Sequence, residues 1–422
     1  MLGKKDFDLI VVGGGTAGAF SAIAAAREGV SVAVVERGTC LGGLAVNSGL
    51  TEMNAASFHS TPLYHGIEGE IFDNLISSGH AAYHFAVPMS SNKAIKIDRL
   101  RYDPEALKLL LEKLAVQAGV TLFYQTELAC AQEGEASCTI KARGLYQEIE
   151  LSAKYLIDAT GNASLVRVLG GQTEATEEKS RMIASLMFRI SNVDMPQLQD
   201  FISSPALGET IKKGREDGVL KGALLAFSPI PGTKDVSLNV TRAKFNHEDL
   251  TETTSGILEL RSQIEPVFRF VKQHVSGMDE AYISNIASVP GVRDARRIKG
   301  VYRLALRDLQ GMVKFQDRVA CGCYPVDFHD PVTNTVKWLT LPGVYYIPYR
   351  SLLPVGLRRT MVAGKCLCAD SKAFAAVRVM PIVMNIGESA GYAAALASRK
   401  GKNLPELPIT DLQDLLGSRY HA

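Results

Sequence analysis

The stretch Leu9–Gly38, LIVVGGGTAGAFSAIAAAREGVSVAVVERG, decides the fold. Its first apolar run lacks polar alternation, the pattern of a parallel strand covered on both faces. Three consecutive glycines follow, and Gly13, Gly15 and Gly18 satisfy G-x-G-x-x-G. Gly13 permits a tight turn, Gly15 lets a pyrophosphate approach the backbone, and Gly18 lets the next helix pack on the strand. That helix is expected from Ala17 to Glu28, with Gly29 ending it. Free N–H groups of its first turn, at Thr16 and Ala17, and its dipole favour an anion. SVAVV is the second strand and puts Glu36 at its carboxyl end, about 20 residues past the glycines. A carboxylate there accepts hydrogen bonds from both ribose hydroxyls of an adenosine and repels a 2′-phosphate. Strand, turn, helix, strand and acid in this order imply an α/β, Rossmann-like dinucleotide-binding domain. A purely structural glycine turn leaves Glu36 unexplained.

Outward from this stretch, ERGTCLGG (Glu36–Gly43) resembles the FAD-binding signature of the glutathione-reductase type. The resemblance implies Arg37 beside the adenosine, with Gly42, Gly43 and Leu44 close to the cofactor. Asn47 is then a donor near the flavin. YLIDATGNAS (Tyr155–Ser164) resembles the second flavoprotein signature and brings Ala159, Thr160 and Gly161 to the cofactor. TMVAGKCLCAD resembles the third, with Gly364 and Lys365 at the turn, where many relatives carry Gly-Asp. The helix beginning at Val379 and Met380, with Pro381 in its first turn, then stabilises negative charge on a reduced flavin. The same resemblance puts Leu128, in VTLFYQTEL, at the adenine. IPYRSLLP, VRVMP, PGVRDARRIKGVY and CGCYPVDFHDP together resemble the FAD-dependent oxidoreductase family that includes xanthan-lyase-associated oxidoreductases, from Leu9 to about Ala397. That implies FAD as cofactor. It is expected to be noncovalent, since no histidine or tyrosine sits in a linkage motif.

A chain of 422 residues is too long for one simple core. The expected organisation is an FAD-binding domain from residues 1–170 and 344–400, with an inserted α+β substrate or cap domain at 171–343. A short tail, 401–422, follows. Asp103-Pro104-Glu105 reads as a helix cap, and DLTETTSGILELRSQIEPVFRFVKQHV as a helix bent near Pro266. Net charge is +2 without a block of like charge, so no nucleic-acid partner is expected. No apolar run reaches the ~18 residues of a membrane span, and no signal peptide is visible, so a cytoplasmic location is expected. Seven cysteines make no disulfide framework and no metal-finger spacing. The pairs Cys321/Cys323 and Cys366/Cys368 are expected on strands as buried small hydrophobes, with a metal or redox pair as the alternative. A second nucleotide fingerprint and a redox-active C-x4-C are both missing. An electron donor or acceptor therefore binds transiently, or the substrate itself reduces the flavin. No particular oligomeric state is implied.

Flavin carries the electron chemistry, so the protein must orient a small-molecule substrate and handle one proton. Arg293, Arg296 and Arg297 suit an anionic or polyhydroxyl substrate, and Arg296 is the one expected in the active site. His329, between Asp327 and Asp330, is the expected proton acceptor. Arg350, beside Tyr349, and Arg378, just before the flavin-facing helix, complete the expected catalytic set. The expected reaction is hydride transfer between FAD and a small polar or anionic substrate, whether hydroxy acid, sugar-like alcohol or activated alkene. A flavin monooxygenase and a flavin electron-transfer subunit are the alternatives.

Overall fold

The computed structural model describes residues 5–89, 91–294 and 296–417. Strand Lys5–Val12 pairs in parallel with Val32–Val35, and helix Thr16–Arg27 connects them. In space the parallel strands run Thr121–Phe123, Val32–Val35, Lys5–Val12, Glu148–Asp158, and Thr360–Val362 pairs with the last of these. The chain winds first to one side of Lys5–Val12 and later to the other. Strand order therefore reverses between Lys5–Val12 and Glu148–Asp158, and open α/β sheets bind ligands beyond the carboxyl ends of the strands at such a point. Those ends lead into Gly13 and Ala159. The amino half of Glu148–Asp158 also pairs antiparallel with Cys138–Arg143, which in turn pairs with Glu127–Glu133.

Helix Pro104–Gln117 starts as expected, with the Asp103 side chain accepting from Glu105 N. Helix Met380–Lys400 has Pro381 in its first turn and ends at Gly401, where φ is +61°. It packs against helix Thr16–Arg27 almost backbone to backbone. A Cβ on Gly387 would stand 2.4 Å from Ala17 O, and one on Gly391 2.2 Å from Ser21 O. Ser21 Oγ donates to Gly387 O at 2.8 Å. Ala17 beside Gly387 and Ser21 beside Gly391 make the two helices parallel, so both N-termini point the same way. The later helix extends about 10 Å further at that end, at 1.5 Å per residue.

A second core is built from residues between 184 and 287. Its antiparallel sheet runs Ala226–Pro229, Val236–Asn239, Phe188–Ser191, Tyr282–Ile286, and helices Leu250–Ser262 and Ile264–His274 pack on it. This core is narrower than the expected 171–343. Leu304, Leu309, Val319, Tyr324 and Tyr345 belong to the first core instead. Strand Arg318–Gly322 is tied to the long helix, with Cys321 N donating to Asn385 Oδ1 and Ser389 Oγ to Val319 O. The expected bent helix is two helices broken at Gln263, because Pro266 lacks the N–H that would continue the first one. The expected tail is also different in its described part. Residues Ile409–Leu416 form a helix, and Leu404, Leu407, Leu412 and Leu416 are buried in the first core. Residues 418–422 lie outside the described residues. Cys366 and Cys368 follow the Gly364 turn rather than sitting on a strand, and Cys323 lies just past its strand. None of the seven cysteines forms a disulfide. Among the described residues no helix is long and apolar enough to cross a membrane.

Candidate functional site

The switch point is shaped by backbone contact. Gly13 has φ +98°, and a Cβ there would stand 2.6 Å from Ala159 O; one on Gly18 would stand 1.8 Å from Gly13 O. A Cβ on Gly15 would meet only Ala159 O, at 3.9 Å. The space above the first helical turn is therefore open. Gly15, the N-cap, offers no side-chain acceptor to the first turn of the helix, whose N-terminal end favours an anion. Thr16 Oγ1 donates to Gly42 O at 3.0 Å and Gly42 N to Gly14 O at 2.9 Å. These bonds hold the Gly42–Gly43 turn, from which the short helix Leu44–Asn47 begins, against the glycine loop. Glu36 accepts from Gly14 N and Gly38 N, both at 2.6 Å. Two backbone amides thus aim its carboxylate, and each oxygen keeps a lone pair for a ribose hydroxyl. Arg37 is exposed beside it.

The turn across the crevice is organised by Asp158, which is fully buried and accepts from Thr160 N, Thr160 Oγ1 and Val166 N. Burial pushes its carboxyl up, against the pull of those hydrogen bonds. Gly161, at φ +75°, lies where a Cβ would touch Lys365 Cε at 3.2 Å. Lys365 Nζ donates to Val292 O at 3.0 Å, and burial lowers its amine to about 8. Gly364, at φ +97°, faces Ala17, with 3.1 Å between their Cβ positions. Val379 caps the long helix and Met380 begins it, again without a side-chain cap. Asn47 Nδ2 donates to Cys40 Sγ at 3.4 Å, and Ser288 Oγ donates to Asn47 O at 3.3 Å. With Ser237 Oγ donating to Gly49 O, this docks the second sheet on the loop after the Gly42–Gly43 turn. Leu128 is half-buried on Glu127–Glu133, opposite Ala142 at a register shift. Two open, parallel helix N-termini and an oriented acidic acceptor at a switch point fit an extended dinucleotide.

A second set of side chains meets near Arg378. Strand Val326–His329 alternates, so Asp327 and His329 share a face. His329 Nε2 lies 3.1 Å from Asp327 Oδ1, at an angle short of a full hydrogen bond. Asp327 also receives Tyr324 OH at 2.9 Å, and Arg378 Nη2 at 3.2 Å on its carbonyl and 3.3 Å on Oδ2. Despite complete burial, His329, Arg378 and Arg293 hold the Asp327 carboxyl well below the usual carboxylate range. Burial, then the charge of Arg293, lowers the His329 imidazole to about 3, against the opposing pull of Asp327. The ring is neutral at pH 7. The carboxylate draws its proton to Nε2, and Nδ1 has no partner among the described residues.

Not every expected residue arrives here. The three neighbouring arginines diverge because Gly291–Asp294 is irregular chain rather than helix. Arg293 reaches the cluster, with its Nη1 donating to Ile183 O at 2.7 Å. Arg296, the expected one, instead forms a forked ion pair with Glu248 at 2.6 and 2.7 Å. Arg297 is buried over the Phe374 ring. Arg350 is paired with Asp317 and half-exposed, and Tyr349 OH donates to Leu404 O at 3.0 Å, so both serve structure away from the cluster. Asp330 caps the turn after the strand and pairs with Lys337, leaving Asp327 as the partner of His329. Tyr324 lies within CGCYPVDFHDP, where nothing sets it apart from its neighbours, and Arg242 has no motif to mark it. Arg242 is almost fully buried, and Gln263, exposed to it by the helix break, grips its backbone on both sides, at 2.9 and 2.8 Å.

A family model described as FAD dependent oxidoreductase matches residues 8–416. The soluble pyridine nucleotide transhydrogenase of Mycobacterium bovis is 51% identical over 45 residues, 11% of this chain and 10% of that protein. The chain thus spans about a tenth of that curated relative. A geranylgeranyl bacteriochlorophyll reductase-like protein from Thermoplasma acidophilum shares the fold at TM-score 0.53 and 15% identity, covering 99% of this chain and 84% of that one. The p-nitrophenol 4-monooxygenase of Pseudomonas putida does so at TM-score 0.51 and 10% identity, covering 99% and 83%.

Proposed function

This chain belongs to the FAD dependent oxidoreductase family, and from that premise we propose that it moves a hydride between FAD and a small polar or anionic substrate, with His329 handling the proton. The enzyme is an FAD-dependent oxidoreductase; the substrate side of this reading rests on the buried Asp327–His329 pair. In this reading the cofactor lies in the glutathione-reductase manner, noncovalently. Its adenosine is at Glu36 and Arg37, with Leu128 beside the adenine. Its pyrophosphate is on Gly15, Thr16 and Ala17, and its flavin near Asn47, Gly161, Lys365, Val379 and Met380. The second core is the cap that covers it. Bound FAD supplies a two-electron acceptor or donor.

The protein supplies position and a proton path. Asp327 orients the imidazole and stabilises the imidazolium that forms, the part a carboxylate plays in an Asp–His pair. A bare Nδ1 accepts a hydroxyl proton as the neighbouring carbon loses its hydride. Because burial and Arg293 disfavour imidazolium, the proton is held only while a substrate's negative charge is present. Removing such a base costs roughly 10²–10⁴-fold in the chemical step. The test is anaerobic reduction of the flavin band in wild type, His329→Asn and Asp327→Asn. Both variants should keep FAD and reduce it at least a hundredfold more slowly. Unchanged reduction in His329→Asn would remove His329 from the chemistry. Oxygen uptake stoichiometric with a hydroxylated product would replace hydride transfer by monooxygenation.

A further inference from the structure

Arg242 and Arg293 present an electrostatic problem that the mechanism above leaves open. Arg242 Nη1 donates to Asn239 Oδ1 at 3.0 Å and Thr241 O at 2.6 Å, while Nη2 has no partner among the described residues. Arg293 donates to Ile183 O. These acceptors are all neutral, and among the described residues neither guanidinium pairs with a carboxylate. Each feels Asp327 from a distance, and Arg293 also feels Asp294, whose carboxyl takes the Met182 N–H. Arg378 is already engaged by Asp327, and Lys365 by backbone carbonyls. Arg242, Arg293, Arg378 and Lys365 thus share Asp327 and Asp294, the latter also facing Arg297, and burial of unpaired charge is costly. Arg242 is also built in rather than adventitious. Gln263 fixes its backbone, and burial with the Arg293 charge lowers it to about 9.

We infer that the substrate carries a carboxylate beside the hydroxyl it gives up, and that Arg242 and Arg293 bind that carboxylate. The guanidinium fork matches the two oxygens of a carboxylate, and Arg242 approaches from the second core while His329 belongs to the first. The inference rests on the reading of His329 above and narrows its substrate to a 2-hydroxy acid or the matching 2-oxo acid. In the oxidative direction the substrate O–H bond breaks and its proton passes to His329 Nδ1. The C–H bond breaks with its electron pair passing to FAD, and the C–O bond becomes a carbonyl. A 2-hydroxy acid becomes a 2-oxo acid while FAD takes two electrons.

The test titrates the FAD-loaded protein with glycolate, lactate and malate, with their methyl esters, and with inorganic phosphate. Shifts of the flavin absorbance band and of the thermal unfolding midpoint report binding without turnover. The free acids should shift both signals and the esters neither. Arg242→Gln should weaken acid binding roughly 30-fold or more, with partial recovery in Arg242→Lys. Arg293→Gln gives a second reading if Arg242→Gln fails to fold. Acids and esters binding alike, phosphate alone binding, none of the acids binding, or folded Arg242→Gln binding as wild type would each overturn the inference. In His329→Asn the acids should still bind while reduction stops. If they bind and reduction continues, the His329 reading fails and the carboxylate site stands.

Discussion

Replacing Gly387 with alanine tests how the fold aligns its two anion-facing helices. The new methyl would sit 2.4 Å from Ala17 O, 2.9 Å from Ala17 Cα and 3.0 Å from Ala17 C. All three are backbone atoms of helix Thr16–Arg27, so no side chain can swing aside. Ordinary contact begins at 3.4 Å, and the helices must part by about 1 Å. Overpacking of this kind costs roughly 1–3 kcal/mol. The same displacement moves Thr16 and Ala17 away from a phosphate, and one lost charge-assisted hydrogen bond is worth about 1.5–3 kcal/mol. FAD affinity should fall roughly 10-fold to 100-fold. Thermal unfolding with and without FAD, and quenching of FAD fluorescence on binding, read the two effects. Gly29→Ala is the control: a Cβ there meets nothing within 4 Å, though φ is +80°. It should lose about 1 kcal/mol of stability and keep its FAD affinity. Wild-type unfolding and wild-type FAD affinity in Gly387→Ala would refute the argument that this crossing positions the phosphates.

Glu36→Gln should weaken FAD about tenfold or more, because the Gly14 and Gly38 amides lose a charged acceptor; FAD titration measures it. The cofactor-free protein should lose stability as pH falls. Unfolded histidine takes a proton near pH 6.5, whereas buried His329 does so only near 3, so its contribution is whole above 6.5 and shrinks below it. Urea unfolding between pH 7 and 5 should show a slope of up to about 1.4 kcal/mol per pH unit from this group, absent in His329→Asn. Arg350→Gln breaks a half-exposed pair and should leave flavin reduction unchanged and stability within about 1 kcal/mol, by stopped-flow and thermal melts. Gln263→Ala releases Arg242 and should weaken binding of an anionic substrate while FAD affinity holds, read by separate titrations of each.

The α/β crossover around the glycine loop was legible because its requirements are local. Gly13, Gly18 and Glu36 act within one βαβ unit, and spacing alone reveals them. The buried polar cluster was legible in pieces. Period-two alternation in VDFH already puts Asp327 and His329 on one face and excludes Asp330, a reading open to anyone who takes the segment as a strand. Three close arginines suggest one surface, whereas irregular backbone sends each its own way, so that Arg293 and not Arg296 reaches the cluster. Arg242 carried no signal at all. Its burial depends on Gln263, and Gln263 is free to hold it only because Pro266 interrupts a helix. Leu404–Leu416 looked like a tail because its few leucines are spaced through polar residues, and only the long helix beneath them shows where they go.

The pairing of Ser21 with Gly387, 366 residues away in the chain, has a consequence in time. During synthesis the first helix emerges with its alanine face bare, and the helix that covers it begins only at Met380. The glycine loop is complete within the first twenty residues, yet it gains its fixed geometry only when residues near 390 arrive. Contacts this distant slow folding and leave apolar surface open meanwhile. A dinucleotide site built on this loop is therefore complete only once the residues near 390 have been made, so the loop's own residues do not suffice to form it.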